Sequence, residues 1–166
     1  MKIETERLLI KPLTNNDGDA MLNILQDFEN SPASSYDYPR PVQEDKINML
    51  LRYWVKSGKY FMIYLKDTKE ICGFLCYEDD EVGFNIHTSY QRQGIGYEAL
   101  TAFIEYMHSH RKKRHFTAQA ALENISSVRL LEKAGFLLTG TEYISFRKNT
   151  EGIPVQQKCG NFTLEI

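Results

Sequence analysis

Val82-Gly83-Phe84-Asn85-Ile86-His87 and, a short turn later, Gln91-Arg92-Gln93-Gly94-Ile95-Gly96 decide how this chain is read. The first run has the makings of a strand, and the second opens a helix-forming stretch. A strand, a glycine-rich turn and a helix N-terminus together make a seat for a diphosphate. N–H groups in the first helical turn have no partner inside the helix, and the helix dipole adds roughly half a positive charge there. Glycine keeps side chains from holding an anion away from those donors. The pattern gains weight from a second segment, Asn124-Ile125-Ser126-Ser127-Val128-Arg129-Leu130-Leu131-Glu132-Lys133-Ala134-Gly135-Phe136.

Arg7 to Pro12 reads as a first strand. Thr14-Asn15-Asn16-Asp17 offers N-caps for a helix carrying Ala20, Met21, Ile24, Leu25 and Phe28 at helical spacing. Ser31 to Pro41 is a proline-rich loop. A second amphipathic helix has Ile47, Leu50, Leu51, Trp54 and Val55 on one face and stops at Gly58. Tyr60–Leu65 and Ile71–Tyr77 form a hairpin, and Glu78-Asp79-Asp80 turns into a strand at Glu81–His87. A helix then runs to about His110, followed by a strand at His115–Gln119 and a helix from Asn124 to Ala134. Two strands close the sequence, about Leu137–Lys148 and Val155–Leu164. The order β-α-α-β-β-β-α-β-α-β-β, without linker or repeat, predicts one mixed α/β domain over residues 1–166.

Composition excludes several classes. The chain has 166 residues, 42% hydrophobic and 25% charged, enough for one full core. A net charge of −2 gives no global attraction to nucleic acid or anionic lipid. Arg111-Lys112-Lys113-Arg114 falls where a helix should end and complements its dipole. Cys72, Cys76 and Cys159 make no disulfide framework or metal-ligand spacing, so no metal is expected. Cys72 and Cys76, four apart in one strand, are expected to face the same side as small apolar residues. The opening Met1-Lys2-Ile3-Glu4-Thr5-Glu6-Arg7 is too charged for a signal peptide, and no apolar run reaches membrane-spanning length; a cytoplasmic protein is expected.

With both segments and this element order in place, the chain resembles the GNAT superfamily of acetyl-CoA-dependent N-acetyltransferases. Within it, the chain is similar to the ribosomal-protein N-terminal (alanine/serine) acetyltransferases and their spermidine-acetylating relatives. The family's Gln/Arg-x-x-Gly-x-Gly/Ala is matched by Gln91, Gly94 and Gly96. The branch's Asn-x-x-Ser and Glu-Lys-x-Gly-Phe are matched by Asn124, Ser127, Glu132, Lys133, Gly135 and Phe136. Its opening is matched by Glu4-Thr5-Glu6-Arg7-Leu8-Leu9 and Pro12-Leu13-Thr14. The last strand pair, with Glu151 to Val155 and Cys159-Gly160-Asn161, departs from the branch and leaves the acceptor open.

The resemblance implies a central, mostly antiparallel twisted sheet of about seven strands, splayed between its fourth and fifth, with about four flanking helices. It implies acetyl-CoA as co-substrate, a protein or peptide N-terminal amine as acceptor, and a homodimer as one assembly; a polyamine or other small amine is the alternative. The amides of Gln93, Gly94, Ile95, Gly96 and Tyr97 would bind the diphosphate, with Gln91 and Arg92 in the same turn. The strand Phe84–His87, with Ile86 and His87, would bond the pantetheine arm. Asn124 would contact pantetheine, or serve only as an N-cap. Ser127 would protonate the leaving thiolate, or bond the helix backbone. Glu81 is the candidate base, against a solvated turn residue; the acidic group Glu78 to Glu81 could also attract cationic amines. Glu142 and Tyr143 are weaker acceptor-side candidates, and Tyr36, Tyr38 and Trp54 line the cleft or simply pack. A lysine-like amine loses about 4–5 kcal/mol to deprotonation at neutral pH, an α-amine only about 1–1.5.

Two rivals remain. Gly94-x-Gly96-x-x-Ala99 also fits a dinucleotide fingerprint, but at least four elements precede the turn and Gln119-Ala120-Ala121 stands where an acid belongs. A catalytically silent acyl-CoA-binding protein on the same fold is the other.

Overall fold

The computed structural model describes all residues, 1–166. Its strands are β1 (Ile3–Glu4), β2 (Leu8–Pro12), β3 (Tyr60–Leu65), β4 (Ile71–Glu78), β5 (Glu81–Ile86), β6 (His115–Ala121), β7 (Leu137–Lys148) and β8 (Pro154–Glu165). Its helices are α1 (Gly18–Asn30), α2 (Glu44–Ser57), α3 (Ile95–Arg111) and α4 (Ile125–Lys133). They build one eight-stranded sheet in the order β1-β2-β3-β4-β5-β6-β8-β7, antiparallel except for β5 beside β6. The extra strand is β1, a two-residue edge paired with β2 through Ile3↔Ile10, too short to leave a periodic trace in the sequence.

Each face of the sheet has its own core. On one side Leu100 and Phe103 of α3, Leu131 of α4 and Phe136 just beyond it pack against Ile10, Ile63, Leu75 and Phe116. On the other, α1 and α2 bury Met21, Ile24, Ile47 and Leu51 against Met62 and Phe74. The start of α1 is set by Thr14, whose N–H and hydroxyl both donate to Asp17 Oδ2 at 2.7 Å. The buried Asp17 carboxylate is further satisfied by the Tyr64 hydroxyl, at 2.7 Å.

Cys72 and Cys76 lie on opposite faces, contrary to expectation. The β3–β4 register runs Ile63↔Gly73 but Tyr64↔Ile71, so a bulge at Cys72 breaks the alternation. Cys72 turns into the α3-side core, whereas Cys76 stays on the α1 side with Phe74, facing Gly83.

The functional face follows from β5 and β6. They share one registered pair, Glu81↔Thr117, with the Thr117 N–H donating to the Asp80 carbonyl at 2.8 Å. Beyond that point the strands part. The two-residue turn before β5 has both Asp79 and Asp80 at positive φ, 47° and 69°, which suits the right-handed twist of a tight hairpin. Lys113, just past α3, and the Tyr77 hydroxyl both bond Asp80 Oδ1 there, at 2.7 and 2.8 Å. The Lys113 bond holds the Asp80 carboxyl below its ordinary range.

Candidate active site

The turn between β5 and α3 is braced at nearly every residue. The Thr88 N–H and hydroxyl donate to Asp27 of α1 at 2.8 and 2.5 Å. His87 Nδ1 accepts from the Ser89 N–H, and its Nε2 lies 3.6 Å from Asp27. Gln91 Nε2 donates to the Ile86 carbonyl at 2.8 Å, and Gln93 Nε2 to the Ser89 carbonyl at 3.1 Å. The side chains of His87, Gln91 and Gln93 therefore shape the turn from within. Arg92 stands exposed at φ 58°.

Gly94 caps α3 at φ 78°, a backbone region that side-chain-bearing residues avoid. The first helical bond is Glu98 N–H to the Gly94 carbonyl, 3.0 Å. The amides of Ile95, Gly96 and Tyr97 consequently have no helical acceptor, as expected at a helix start. Gly96 has a packing reason of its own: a Cβ there would stand 2.8 Å from Leu130 of α4. The same first turn carries Lys133 of α4 over the Tyr97 ring, 4.3 Å from its centroid.

Beside this helix start lies the opening between β5 and β6. The His87 N–H donates to the Cys72 carbonyl at 2.9 Å, so alternation points the main chain of Glu81, Gly83 and Asn85 at β4 as well. Phe84 and Ile86 then turn theirs toward the gap, where the Ile86 carbonyl is already taken by Gln91. On β6, the bonds Leu122 N–H to Lys158 and Ile166 N–H to Arg114 leave Gln119 facing the gap from the other side. Of the expected strand residues, Ile86 presents a free amide there and His87 does not.

Asn124 and Ser127 stand where β6 gives way to α4. Asn124 Oδ1 accepts the Ser127 N–H at 3.4 Å, an N-cap contact. The half-buried Ser127 hydroxyl bonds no backbone carbonyl and no side chain.

Glu81, at the apex of the opening, lines a cavity of 360 Å³ with Lys59, Tyr60, Cys76, Tyr77, Glu78, Asp79 and Gly83. Burial pushes the Tyr60 hydroxyl and the Cys76 thiol up, so both stay protonated at neutral pH. The acidic group is less free than its sequence suggests. Glu78 pairs with Lys59 and Asp80 with Lys113, leaving Asp79 and Glu81 without a cation. Glu142 Oε1 accepts from Gln119 Nε2 at 3.0 Å and Asn161 Nδ2 at 3.2 Å. Tyr143 is its strand neighbour, so the two point to opposite faces. Trp54 packs on Tyr60, and Tyr38 meets Phe146 edge-on.

Three residues contribute without a local signal in the sequence. In the sequence Gln119 is only a residue where an acid is missing, yet it holds Glu142 and borders the gap. Thr5 and Arg7 were seen only as part of an opening motif, yet both bond Glu98 in the first turns of α3, at 2.5 and 2.7 Å. Partners so far apart in sequence leave no local signal.

A splayed α/β sheet with a helix start at its opening defines an acetyltransferase of the GNAT class. The chain belongs to that family: residues 7–137 match the acetyltransferase (GNAT) domain. A Bacillus subtilis protein described as the uncharacterized N-acetyltransferase YjdG is 34% identical over 90 residues, 50% of this chain and 54% of that one. The match therefore spans about half the length of that relative. The crystal structure of a GNAT-family acetyltransferase from Bacillus anthracis superposes with a TM-score of 0.82 at 22% identity, covering 99% of this chain and 98% of that one. RimL, a ribosomal L7/L12 alpha-N-protein acetyltransferase in complex with coenzyme A, gives 0.80 at 16% identity, covering 100% and 98%. Family and relatives support an acetyl-CoA-dependent N-acetyltransferase. No helix is long and apolar enough to cross a membrane.

Proposed function

We propose that this protein transfers the acetyl group of acetyl-CoA to a primary amine by direct attack in a ternary complex, and that the preferred acceptor is a protein or peptide N-terminal amine. The observation that carries the reading is the parting of β5 from β6 next to three unpaired amides at the start of α3. In this reading Ile95, Gly96 and Tyr97 donate to the diphosphate, with Gln93 and Gly94 shaping the approach. Phe84 and Ile86 offer strand-edge groups to the pantetheine arm, with Asn124 at its far side. The thioester then lies toward the apex, where Glu81 and the acid-lined cavity admit the amine.

The chemistry follows in order. Glu81, directly or through water, takes a proton from the ammonium. The free amine attacks the thioester carbonyl, a strand amide steadies the developing oxyanion, and the tetrahedral species collapses. Ser127, its hydroxyl free of protein partners, hands a proton to the departing thiolate and is reprotonated by the second proton that the attacking nitrogen sheds as the amide forms. An α-amine suits this modest apparatus because it needs little help to lose its proton. A small cationic amine is the second reading, favoured by the uncompensated Asp79 and Glu81 at the cavity.

Gly94→Glu tests the cofactor site. It forces a side chain into positive φ and sets a carboxylate among the anion donors, so calorimetry should find no acetyl-CoA binding. Near-normal affinity would remove the site. Mass-spectrometric profiling of acceptors with labelled acetyl-CoA tests the rest: acetylated peptide N-termini support the first acceptor, acetylated polyamines the second. Tight CoA binding without turnover of any amine would mean a silent binding protein.

A further inference from the structure

We infer that Arg7 is a positioning residue for the cofactor: it clamps the diphosphate-binding turn from below and cancels a carboxylate that would otherwise oppose the anion. The inference rests on the reading of that turn as the diphosphate seat. Its geometry is independent of that reading.

Arg7 sits between β1 and β2, and its guanidinium reaches under the turn in two directions. Nη1 donates to the Gln93 carbonyl at 2.9 Å, immediately before the glycine cap. Nε and Nη2 meet Glu98 Oε2 at 2.7 and 2.6 Å. Nη2 lies 3.4 Å from where a Cβ on Gly94 would stand. The Glu98 carboxylate also accepts the Thr5 hydroxyl at 2.5 Å and the Arg7 N–H at 3.2 Å. The segment is anchored in turn by Lys66, whose Nζ donates to the Thr5 carbonyl at 3.0 Å and whose N–H donates to the Arg7 carbonyl at 2.9 Å. Segment 5–7, the β3–β4 turn and the start of α3 thus form one hydrogen-bonded unit.

The electrostatics explain why a guanidinium is used. Glu98 stands one turn inside α3, where an acid gains from the helix dipole but competes with any anion bound at the same N-terminus. Burial pushes its carboxyl up, and the hydrogen bonds from Thr5 and Arg7 outweigh burial, leaving Glu98 ionised. Without Arg7 that charge would sit unscreened beneath the diphosphate. Arg7 neutralises it by converging two guanidinium donors on Glu98 Oε2, and its third donor holds the Gln93 peptide so that the following amides point outward. The other cations near the turn are the exposed Arg92 and Lys133, which lies over Tyr97; neither touches Glu98.

The experiment is calorimetric binding of coenzyme A, and separately of pantetheine, which lacks the diphosphate, to four proteins. These are the wild type, Arg7→Met, Glu98→Gln and the double variant. Arg7→Met is expected to weaken coenzyme A about tenfold and to leave pantetheine unchanged. The double variant is expected to recover to within about threefold of wild type, because the opposing charge has gone with its partner. A double variant as weak as Arg7→Met would leave only a structural brace and overturn the electrostatic role. Equal loss for coenzyme A and pantetheine, or no loss in Arg7→Met, would overturn the inference outright. A wild-type protein that binds no coenzyme A would instead remove the reading of the turn itself.

Discussion

Glu29 on α1 and Arg147 on β7 form a forked ion pair between the first helix and the edge strand of the sheet, Nη1 to Oε2 at 3.0 Å and Nη2 to Oε1 at 2.7 Å. The same guanidinium donates through Nε to the Asp37 carbonyl at 2.9 Å, and the Arg40 N–H donates to Glu29 at 2.8 Å. Asp27, one short step back on α1, holds Thr88 at the cofactor turn. The end of α1 therefore grips both halves of a sheet that is weakly joined at β5–β6, and it ties down the loop that carries Asp37 and Arg40.

Breaking this grip should register in stability and in its pH dependence. The Arg147 hydrogen bonds hold the Glu29 carboxyl below its ordinary value of 4.5. A carboxyl lowered by folding adds stability above that value and gives it up as pH falls through the lowered one. Arg147→Met should cost about 1–3 kcal/mol at neutral pH, because a largely buried carboxylate loses its partner. The deficit should shrink in acid, as pH falls below 4.5 and through the lowered Glu29 value, where the carboxyl protonates in both proteins. Urea midpoints at the two pH values measure this, and a deficit that does not change with pH would mean the pair contributes no charge-dependent stability.

Glu81→Gln should slow turnover most at the acidic end of the working range. There the acceptor arrives as an ammonium and needs a base; above its own pKa it arrives free, and the variant should approach wild type. Acetyl-CoA affinity should not move, since the side chain lies on the cavity side of β5. A pH–rate profile of the same shape in both proteins would exclude Glu81 as the base.

Ser127→Ala separates catalysis from capping. The Asn124 cap uses the Ser127 N–H, which alanine keeps, and the hydroxyl has no protein partner. Stability should stay within about 0.5 kcal/mol of wild type. If the hydroxyl protonates the leaving thiolate, kcat falls while KM for acetyl-CoA holds. Unchanged kcat in a reaction shown to be limited by chemistry would remove that role.

Much of this was legible because it is local. The helical spacing of α1 and α2, the Gly94 turn and the Asn124 cap each lie within a few residues of sequence, where period and turn chemistry speak directly. Bulges, pairings across the sheet and ion pairs depend on register, which one sequence does not display. So the sequence alone puts Cys72 and Cys76 on one face, shows no β1, and leaves Arg7 a motif letter without a partner. The acidic stretch at Glu78–Glu81 read as free charge because Lys59 and Lys113 meet it only in three dimensions. Gly96 reads as room for a phosphate, and its contact with Leu130 adds a packing reason that only the fold displays.

The bulge at Cys72 gives a direct chemical test of how the cavity face of the sheet is arranged. Cys72 and Cys159 are fully buried, and burial raises the Cys72 thiol to about 11, so neither offers a reactive thiolate. Cys76 is only half-buried and opens onto the cavity beside Glu81. A small maleimide should therefore label Cys76 alone in the native protein, slowly because burial raises that thiol too, and all three cysteines after denaturation. The adduct should block the amine and leave coenzyme A binding intact, because the cavity and the helix start lie on opposite faces of β5. Peptide mapping with parallel turnover and calorimetry decides it. Native labelling at Cys72, or loss of coenzyme A binding on labelling Cys76, would show that this face of the sheet is arranged differently.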